Sequence, residues 1–102
     1  MEVPKIVTPP PGPRAREILE RDSRVISPSY VRFYPLVVEK GQGSLLYDVD
    51  GNVYIDLNSG IGVMNVGHSH PDVVAAIRRQ AEKLLHYSNT DFYYEELSLI
   101  HI

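Results

Sequence analysis

Glycines and histidines concentrate between residues 58 and 70, and some of their spacings match sites that bind nucleotides. The segment GVMNVGHS has the spacing of a phosphate-binding loop, but His68 stands where that motif requires a lysine to meet the phosphate charge. Gly60 and Gly62 match the start of a dinucleotide fingerprint, yet Asn65 occupies the place of the third glycine. Both nucleotide interpretations are therefore disfavoured, and a structural glycine-rich turn is the better hypothesis.

Three histidines are the candidate metal ligands. His68 and His70 flank one serine, and His86 is a third possibility, but no carboxylate or fourth histidine stands at a matching spacing. We favour the alternative that His68 and His70 hydrogen-bond the backbone around a tight loop and cap the following helix. The chain contains no cysteine, which excludes thiolate metal sites, disulfides and a cysteine nucleophile.

Covalent chemistry through an amine has three candidates, Lys5, Lys40 and Lys83. A lysine that forms a Schiff base is normally desolvated or flanked by cations, which lowers its pKa. Lys5 lies in a proline-rich arm, Lys40 lies beside a turn, and Lys83 falls on the polar face of a predicted helix. The sequence therefore offers no credible covalent nucleophile of its own.

Helical periodicity appears in two segments. Residues 1–13 contain five prolines and predict an extended arm, because proline lacks the N–H that helices and inner strands need. Residues 14–22 then show helical spacing. The clearest amphipathic helix begins at Pro71. Its apolar face is predicted to consist of Val74, Ile77, Ala81, Leu84 and Leu85.

Strand signals lie between the two helices. A proline limits residues 32–39 to an edge or interrupted strand. Residues 41–43, GQG, are predicted to turn the chain. Apolar and polar residues then alternate over residues 45–49 and 53–57, and Asp-Gly at residues 50–51 predicts a β-hairpin with a two-residue turn. The sequence thus predicts a small antiparallel β-hairpin or three-stranded meander.

Composition limits the class of protein. The 102 residues carry 10 Lys plus Arg against 13 Asp plus Glu, a net charge of −3, which argues against a nucleic-acid partner. No apolar run approaches the ~20 residues of a membrane span, and no signal peptide begins the sequence. We therefore expect one domain at most, without a membrane or nucleic-acid partner, in the cytoplasm.

Many residues in fixed order across the hairpin, the loop and the following helix carry a family resemblance. They are YDVDGNVYIDLNSGIGV at residues 47–63, Asn65, GHSHP at residues 67–71, Val74, Ala76, Ile77, Gln80 and His86. Over about residues 30–96 the chain closely resembles the N-terminal part of class III pyridoxal-phosphate aminotransferases. That family includes 4-aminobutyrate, acetylornithine and ornithine aminotransferases.

The resemblance implies an α+β piece of a fold-type I enzyme: an N-terminal helix, a small antiparallel meander and an amphipathic helix from its small N-terminal portion. It also implies that Gly60, Ile61 and Gly62 approach the substrate, with Phe92 or Tyr93 offering an aromatic surface. The parent enzyme would use pyridoxal phosphate to move an amino group from an amino donor to a 2-oxo acid, and would be a homodimer. The pyridoxal-binding lysine would belong to the remainder of the aminotransferase chain.

The expected domain organisation follows from the resemblance: an extended arm at residues 1–13 and an incomplete aminotransferase portion at residues 14–102, without the large cofactor-binding domain. Residues 97–102 do not look like the usual continuation of the family. This piece alone is expected to bind neither cofactor nor substrate productively. An amino-acid racemase of the same family and a stand-alone small interaction module stay open as alternatives.

Overall fold

The computed structural model describes residues 2–101, which fall into two compact units divided after His70. The first unit contains α1 (Pro13–Val25), β1 (Val38–Gln42), β2 (Leu45–Asp48), β3 (Val53–Ile55) and α2 (Ser59–Gly62). The second contains α3 (Pro71–Ala81) and α4 (Glu95–Leu99). Within residues 2–101, none of the helices has the length and apolar character needed to cross a membrane.

Helix α1 begins at Pro13, one residue before the predicted start, and is capped from a distance. Proline suits the first helical position because its missing N–H would have no partner there. The Asp50 carboxylate, on the β2–β3 loop, accepts hydrogen bonds from the N–H groups of Arg14 and Ala15 at 2.8 and 2.9 Å. A side chain from the hairpin therefore performs the capping that a neighbouring residue usually supplies. Ala15 is the buried residue of the helix.

The three strands form an antiparallel meander in the order β1-β2-β3, as predicted. The prediction of a turn at residues 41–43 was wrong. Gly41 and Gln42 lie within β1, and the tight turn is made by Gly43, with φ 56°, and Ser44. Gly43 takes the turn because positive φ is accessible to glycine without a steric penalty.

The β2–β3 hairpin is also confirmed, but three residues, 49–51, lie inside its closing hydrogen bond between Asp48 and Asn52, instead of the two predicted. The backbone carbonyl of Asp48 accepts a hydrogen bond from the Gly51 N–H, and the Asp48 N–H donates to the Asn52 carbonyl. Of the loop residues, only Gly51 has positive φ, at 88°. This is the pattern of a turn followed by a left-handed glycine, the common three-residue hairpin connection.

The centre of the first unit is polar. Asn52 is fully buried and Asp48 is 3% exposed, whereas Ala15 and Val53 are the buried apolar residues among those described. The N-terminal arm packs onto this centre through a backbone pair between Lys5 and Val53, with N···O distances of 2.9 and 2.8 Å. The arm is thus held on the sheet by hydrogen bonds more than by apolar burial, and its backbone bends at residues 3–4, 7–8 and 10–11.

In the second unit, α3 ends at Ala81, so the prediction that Leu84 and Leu85 continue its apolar face was wrong. The N–H groups of Lys83 and Leu84 both bond to the Gln80 carbonyl, and the Gln80 side-chain amide donates to the Leu84 carbonyl. These bonds tighten the last turn and end the helix. No residue of α3 is buried; on its apolar face Val74 is half-buried and Ile77 is 62% exposed.

Candidate functional site

The glycine-rich segment after β3 adopts a left-handed turn. The four residues of α2 all have positive φ: Ser59 51°, Gly60 58°, Ile61 62° and Gly62 77°. Left-handed helical backbone costs roughly 1–2 kcal/mol for each residue that carries a Cβ, and a β-branched residue is especially unsuited to it. Ser59 and Ile61 therefore store strain of about 2–4 kcal/mol. Such strain persists only where the surroundings hold the backbone in place.

Asp56 is the residue that organises the entry to this turn. Its Oδ1 accepts the N–H groups of Asn58 and Ser59 at 2.8 and 3.0 Å, and its Oδ2 lies 2.6 Å from Nε2 of His68. The side chains of Asp56 and His68 are 7% and 17% exposed. The His68 hydrogen bond, followed by the two backbone N–H groups, holds the pKa of Asp56 below its ordinary value, which keeps the carboxylate ionised.

His68 is itself fixed to the β1–β2 turn. Its N–H and carbonyl exchange hydrogen bonds with the carbonyl and N–H of Gly43, both at 2.9 Å. Its side chain covers Gly41 so closely that a Cβ on Gly41 would lie 2.6 Å from His68 Cγ. The Ser69 hydroxyl donates to the Gly41 carbonyl at 2.9 Å. The end of the loop is thereby anchored on the sheet.

The predicted site residues fall into two groups. Gly60, Ile61 and Gly62 lie together on α2, where the Ile61 side chain is 90% exposed. Phe92 and Tyr93 lie in the second unit. The Phe92 ring packs edge-on against Tyr87 with centroids 4.9 Å apart, and Tyr93 is fully exposed.

The pairing of Asp56 with His68 was missed by the sequence reasoning, which favoured backbone hydrogen bonds for this histidine. The two residues are 12 positions apart, so no helical or strand spacing links them. The available signal was the sequence Asp-x-Asn-Ser, because an aspartate often accepts the N–H two residues later. As for metal binding, no group of three or more histidines and carboxylates comes together anywhere in residues 2–101.

Comparison with known proteins decides what this arrangement belongs to. A family model described as "Aminotransferase class-III" matches residues 25–102, which include the sheet, the left-handed turn and α3. The chain belongs to the class-III aminotransferase family.

Individual relatives are similar to the same part of the chain. An alanine/serine racemase of Pyrococcus horikoshii is 46% identical over 87 residues, which cover 84% of this chain and 18% of the relative. An acetylornithine aminotransferase of Methanosarcina acetivorans is 47% identical and is matched over 85% of this chain and 21% of its own. The structure of Plasmodium falciparum ornithine delta-aminotransferase matches with a TM-score of 0.74 at 28% identity, over 83% of this chain and 21% of that one.

The chain thus spans about a fifth of the length of these class-III relatives. The match to solved aminotransferase structures confirms the predicted α+β fold as the N-terminal portion of such enzymes.

The residues of this stretch do not by themselves fit pyridoxal phosphate, the cofactor that class-III aminotransferases use. Lys5, Lys40 and Lys83 are all exposed. The Lys40 ammonium lies 4.7 Å from the centroid of the Tyr47 ring, a surface cation–π contact. None of the three is desolvated as a Schiff-base lysine would be. The same stretch presents one exposed apolar side chain, Ile61, on a left-handed backbone.

Proposed function

We propose that the protein containing these residues is a pyridoxal-phosphate-dependent transaminase that moves an amino group from an amino acid or an ω-amine to a 2-oxo acid. The observation that carries the proposal is the class-III family match across residues 25–102, which encloses the strained and anchored turn α2. Strained backbone conformations cluster at functional sites, where the surrounding structure holds them against their cost in stability.

In this proposal, α2 forms part of the wall of the substrate pocket. Gly60 and Gly62 leave room for substrate beside the backbone, since neither carries a side chain. Ile61 presents an apolar surface that is 90% exposed in the described residues. Phe92 and Tyr93, in the second unit, are proposed separately as an aromatic surface that contacts substrate. Pyridoxal phosphate, when bound, supplies the electron sink for the amino acid.

The remaining features of the enzyme lie with the rest of the protein. We propose that the Schiff-base lysine and most cofactor contacts are contributed outside residues 1–102, with the arm at residues 1–13 and residues 14–102 forming an incomplete N-terminal portion. Residues 1–102 alone would then be inactive. The parent enzyme is proposed to be a cytoplasmic homodimer that needs the remainder of its chain to cover the exposed apolar side chains of α3.

Amino-acid racemisation is the second candidate. The alanine/serine racemase of Pyrococcus horikoshii is 46% identical over 87 residues, and an isoleucine 2-epimerase of Lentilactobacillus buchneri is 39% identical over 82 residues. A racemase returns the amino group to the same carbon skeleton, whereas a transaminase delivers it to a second one. The two activities are therefore distinguished by their products.

The experiment is a product analysis on the complete gene product loaded with pyridoxal phosphate. Ornithine, N-acetylornithine, 4-aminobutyrate and L-alanine are each supplied with and without a 2-oxo acid. A new amino acid that forms only when the 2-oxo acid is present supports transamination. Inversion of L-alanine without an acceptor supports the racemase, and the absence of both products contradicts the proposed function.

A variant tests the proposed role of α2 within that enzyme. Ile61→Ala removes apolar contact area, and we expect KM for the amino donor to rise about tenfold, since burying such a side chain contributes roughly 1.5–3 kcal/mol. Ile100→Ala, at another isoleucine that is 76% exposed, is the matched control and should leave KM unchanged. Equal changes of KM in the two variants would contradict the placement of Ile61 in the pocket wall.

The inactivity of residues 1–102 alone has its own test. The 102-residue chain is mixed with pyridoxal phosphate, treated with borohydride and analysed by mass spectrometry for a stable lysine adduct. We expect no stoichiometric adduct at a single lysine, because none of Lys5, Lys40 and Lys83 is desolvated in a site that would favour one Schiff base over the others. A stoichiometric adduct on Lys40 or Lys83 would overturn this part of the proposal.

A further inference from the structure

The two oxygens of the Asp56 carboxylate serve different parts of the chain. Oδ1 accepts the N–H groups of Asn58 and Ser59, at the start of the left-handed turn. Oδ2 receives Nε2 of His68, beyond the end of that turn. One side chain therefore closes the loop from both ends.

The anchor for this closure is the sheet. Asp56 follows β3 directly, and its own N–H donates to the Ser44 carbonyl at 2.8 Å. His68 is bonded twice to Gly43 through its backbone and covers Gly41 with its side chain. Both partners of the pair are thus bonded to the β1–β2 turn. Through the pair, the start of α2 is held at a fixed position relative to the sheet.

Within α2 itself, few bonds oppose the strain. The Gly62 N–H bonds to the Asn58 carbonyl at 3.1 Å, and the Met64 N–H bonds to the Ser59 carbonyl at 2.8 Å. Neither bond fixes φ of Ile61, whose side chain is exposed and makes no packing contact that would compensate its left-handed backbone. The support must come from the ends of the loop, where Asp56 and His68 are.

We propose that Asp56 and His68 form a positioning pair that holds the turn Ser59–Gly62 in its left-handed conformation on the sheet, and so sets how Ile61 meets the amino donor. This inference rests on the proposed function, because α2 has a substrate to meet only if the protein acts on one. Asp56 and His68 themselves touch no substrate in this scheme.

The test uses the complete gene product with four variants. His68→Leu removes the donor to Asp56, and His68→Gln retains an amide donor at a similar place. The double variant His68→Leu with Ser59→Gly removes the donor but lets position 59 adopt positive φ without strain. His101→Leu makes the same change at an exposed histidine and is the matched control.

Two quantities are measured for each variant: hydrogen exchange of the peptide spanning residues 57–62, and kcat and KM for the amino donor. For His68→Leu we expect exchange to accelerate about tenfold and KM to rise about tenfold, with a smaller change in kcat, as the support for one strained residue is lost. His68→Gln should stay within about threefold of the wild type in both quantities. The double variant should recover most of the KM, since its strain is lower.

The outcomes separate this inference from the proposed function. Faster exchange with a raised KM, rescued by Ser59→Gly, supports the positioning pair. An active enzyme in which His68→Leu changes neither quantity overturns the pair, and faster exchange at unchanged KM shows a purely structural contact and overturns it as well. A wild-type protein that handles no amino acid refutes the proposed function, and the inference with it, while its exchange data still decide whether the pair holds the turn. If His68→Leu does not fold, Asp56→Asn replaces it under the same criteria.

Discussion

Replacing Asn52 should release the N-terminal arm from the sheet. This side chain is fully buried between the hairpin and the arm. Its Oδ1 accepts the N–H groups of Val7 and Thr8 at 2.8 and 2.9 Å, while its Nδ2 donates to the Thr8 carbonyl at 2.8 Å and to Asp48 Oδ2 at 2.7 Å. Every hydrogen-bonding group of the amide is therefore used.

The magnitude follows from those four bonds. A net contribution of about 1 kcal/mol for each gives about 4 kcal/mol for Asn52→Ala, which leaves buried donors and acceptors without partners. Three of the four bonds join Asn52 to the arm, so the arm itself loses about 3 kcal/mol of support. Because about 1.4 kcal/mol corresponds to a factor of ten, the protection of the arm's amides against exchange should fall on the order of a hundredfold.

The variant Asn52→Asp keeps the shape of the side chain but replaces the amide with a carboxylate, so it tests the contribution of the amide's donor group. The carboxylate can still accept the Val7 and Thr8 N–H groups, but its second oxygen faces Asp48 Oδ2 at the 2.7 Å now spanned by the amide. Two carboxylates at such a distance cannot both stay ionised without a large cost, so one takes up a proton at higher pH than usual. Protection in Asn52→Asp should thus be below that of the wild type at pH 7, where both carboxylates are ionised, and should recover by about tenfold on acidification, where a shared proton replaces the lost bond.

Hydrogen exchange followed by mass spectrometry on the complete gene product measures these effects in the peptide covering residues 2–12. Each variant is compared with the wild type at the same pH, which removes the intrinsic pH dependence of exchange. Asn52→Ala should show no recovery on acidification. Unchanged protection in Asn52→Ala, or parallel behaviour of the two variants on acidification, would refute the assignment of the arm's anchor to Asn52.

Three further predictions concern the other anchors of the first unit. Asp50→Ala removes both hydrogen bonds that cap the N-terminus of α1 and should destabilise that helix by about 1 kcal/mol. The effect should appear as faster exchange at residues 14–18, with residues 57–62 unaffected. Gly41→Ala places a Cβ 2.6 Å from His68 Cγ and should cost about 1–3 kcal/mol in the free energy of unfolding, with the displacement of the His68 ring visible in a crystal structure of the variant. The pKa values of Asp48 and Asp56 both lie below their ordinary value of 3.8, so the stability they provide is complete above that pH and is lost as pH falls further. An acid titration monitored by exchange should therefore show the first unit opening below about pH 3.8, and an Asp56→Asn protein that opens with an unchanged acid profile would contradict this contribution.

The sequence predicted the elements well where local chemistry decides them. Prolines mark the N-terminal arm and the starts of both long helices, and strand alternation around Asp-Gly yields the hairpin, because these signals act within a few residues. Errors occurred where distant groups compete. Gly41 was assigned to a turn, but it pairs with Leu46 in β1, and the His68 side chain occupies the space that a Cβ at position 41 would fill.

The candidate site was only partly accessible from the sequence. Gly60, Ile61 and Gly62 were singled out through the family resemblance, and their clustering of glycine indicated an unusual backbone. The left-handed conformation of Ser59 and Ile61 could not be foreseen, since residues with a Cβ disfavour it. The fully buried Asn52 was missed for the same kind of reason: in the sequence it is an ordinary turn residue, and only the arm, 44 residues away, makes it a structural centre.

Asp48, at the end of β2, and Asp56, directly after β3, use their carboxylates in the same way. Each accepts the N–H two residues ahead, at 2.9 Å for Asp48 and 2.8 Å for Asp56, and a second N–H slightly further on. Each then uses its other oxygen to hold a side chain, Asn52 in one case and His68 in the other. Burial alone would raise the pKa of Asp48, but its hydrogen bonds from Asn52, Tyr54 and Asp50 outweigh that effect.

This repetition explains how a segment with few buried apolar residues can fix the conformation of a loop. Apolar packing is non-directional and needs cover from both sides, whereas a carboxylate fixes specific N–H groups with short directional bonds. The geometry of α2 is therefore set by the hairpin and the Asp56–His68 pair within the first unit. The apolar residues it leaves exposed, Leu57 at 93% and Ile61 at 90%, are then available for contact with other parts of an aminotransferase or with its substrate.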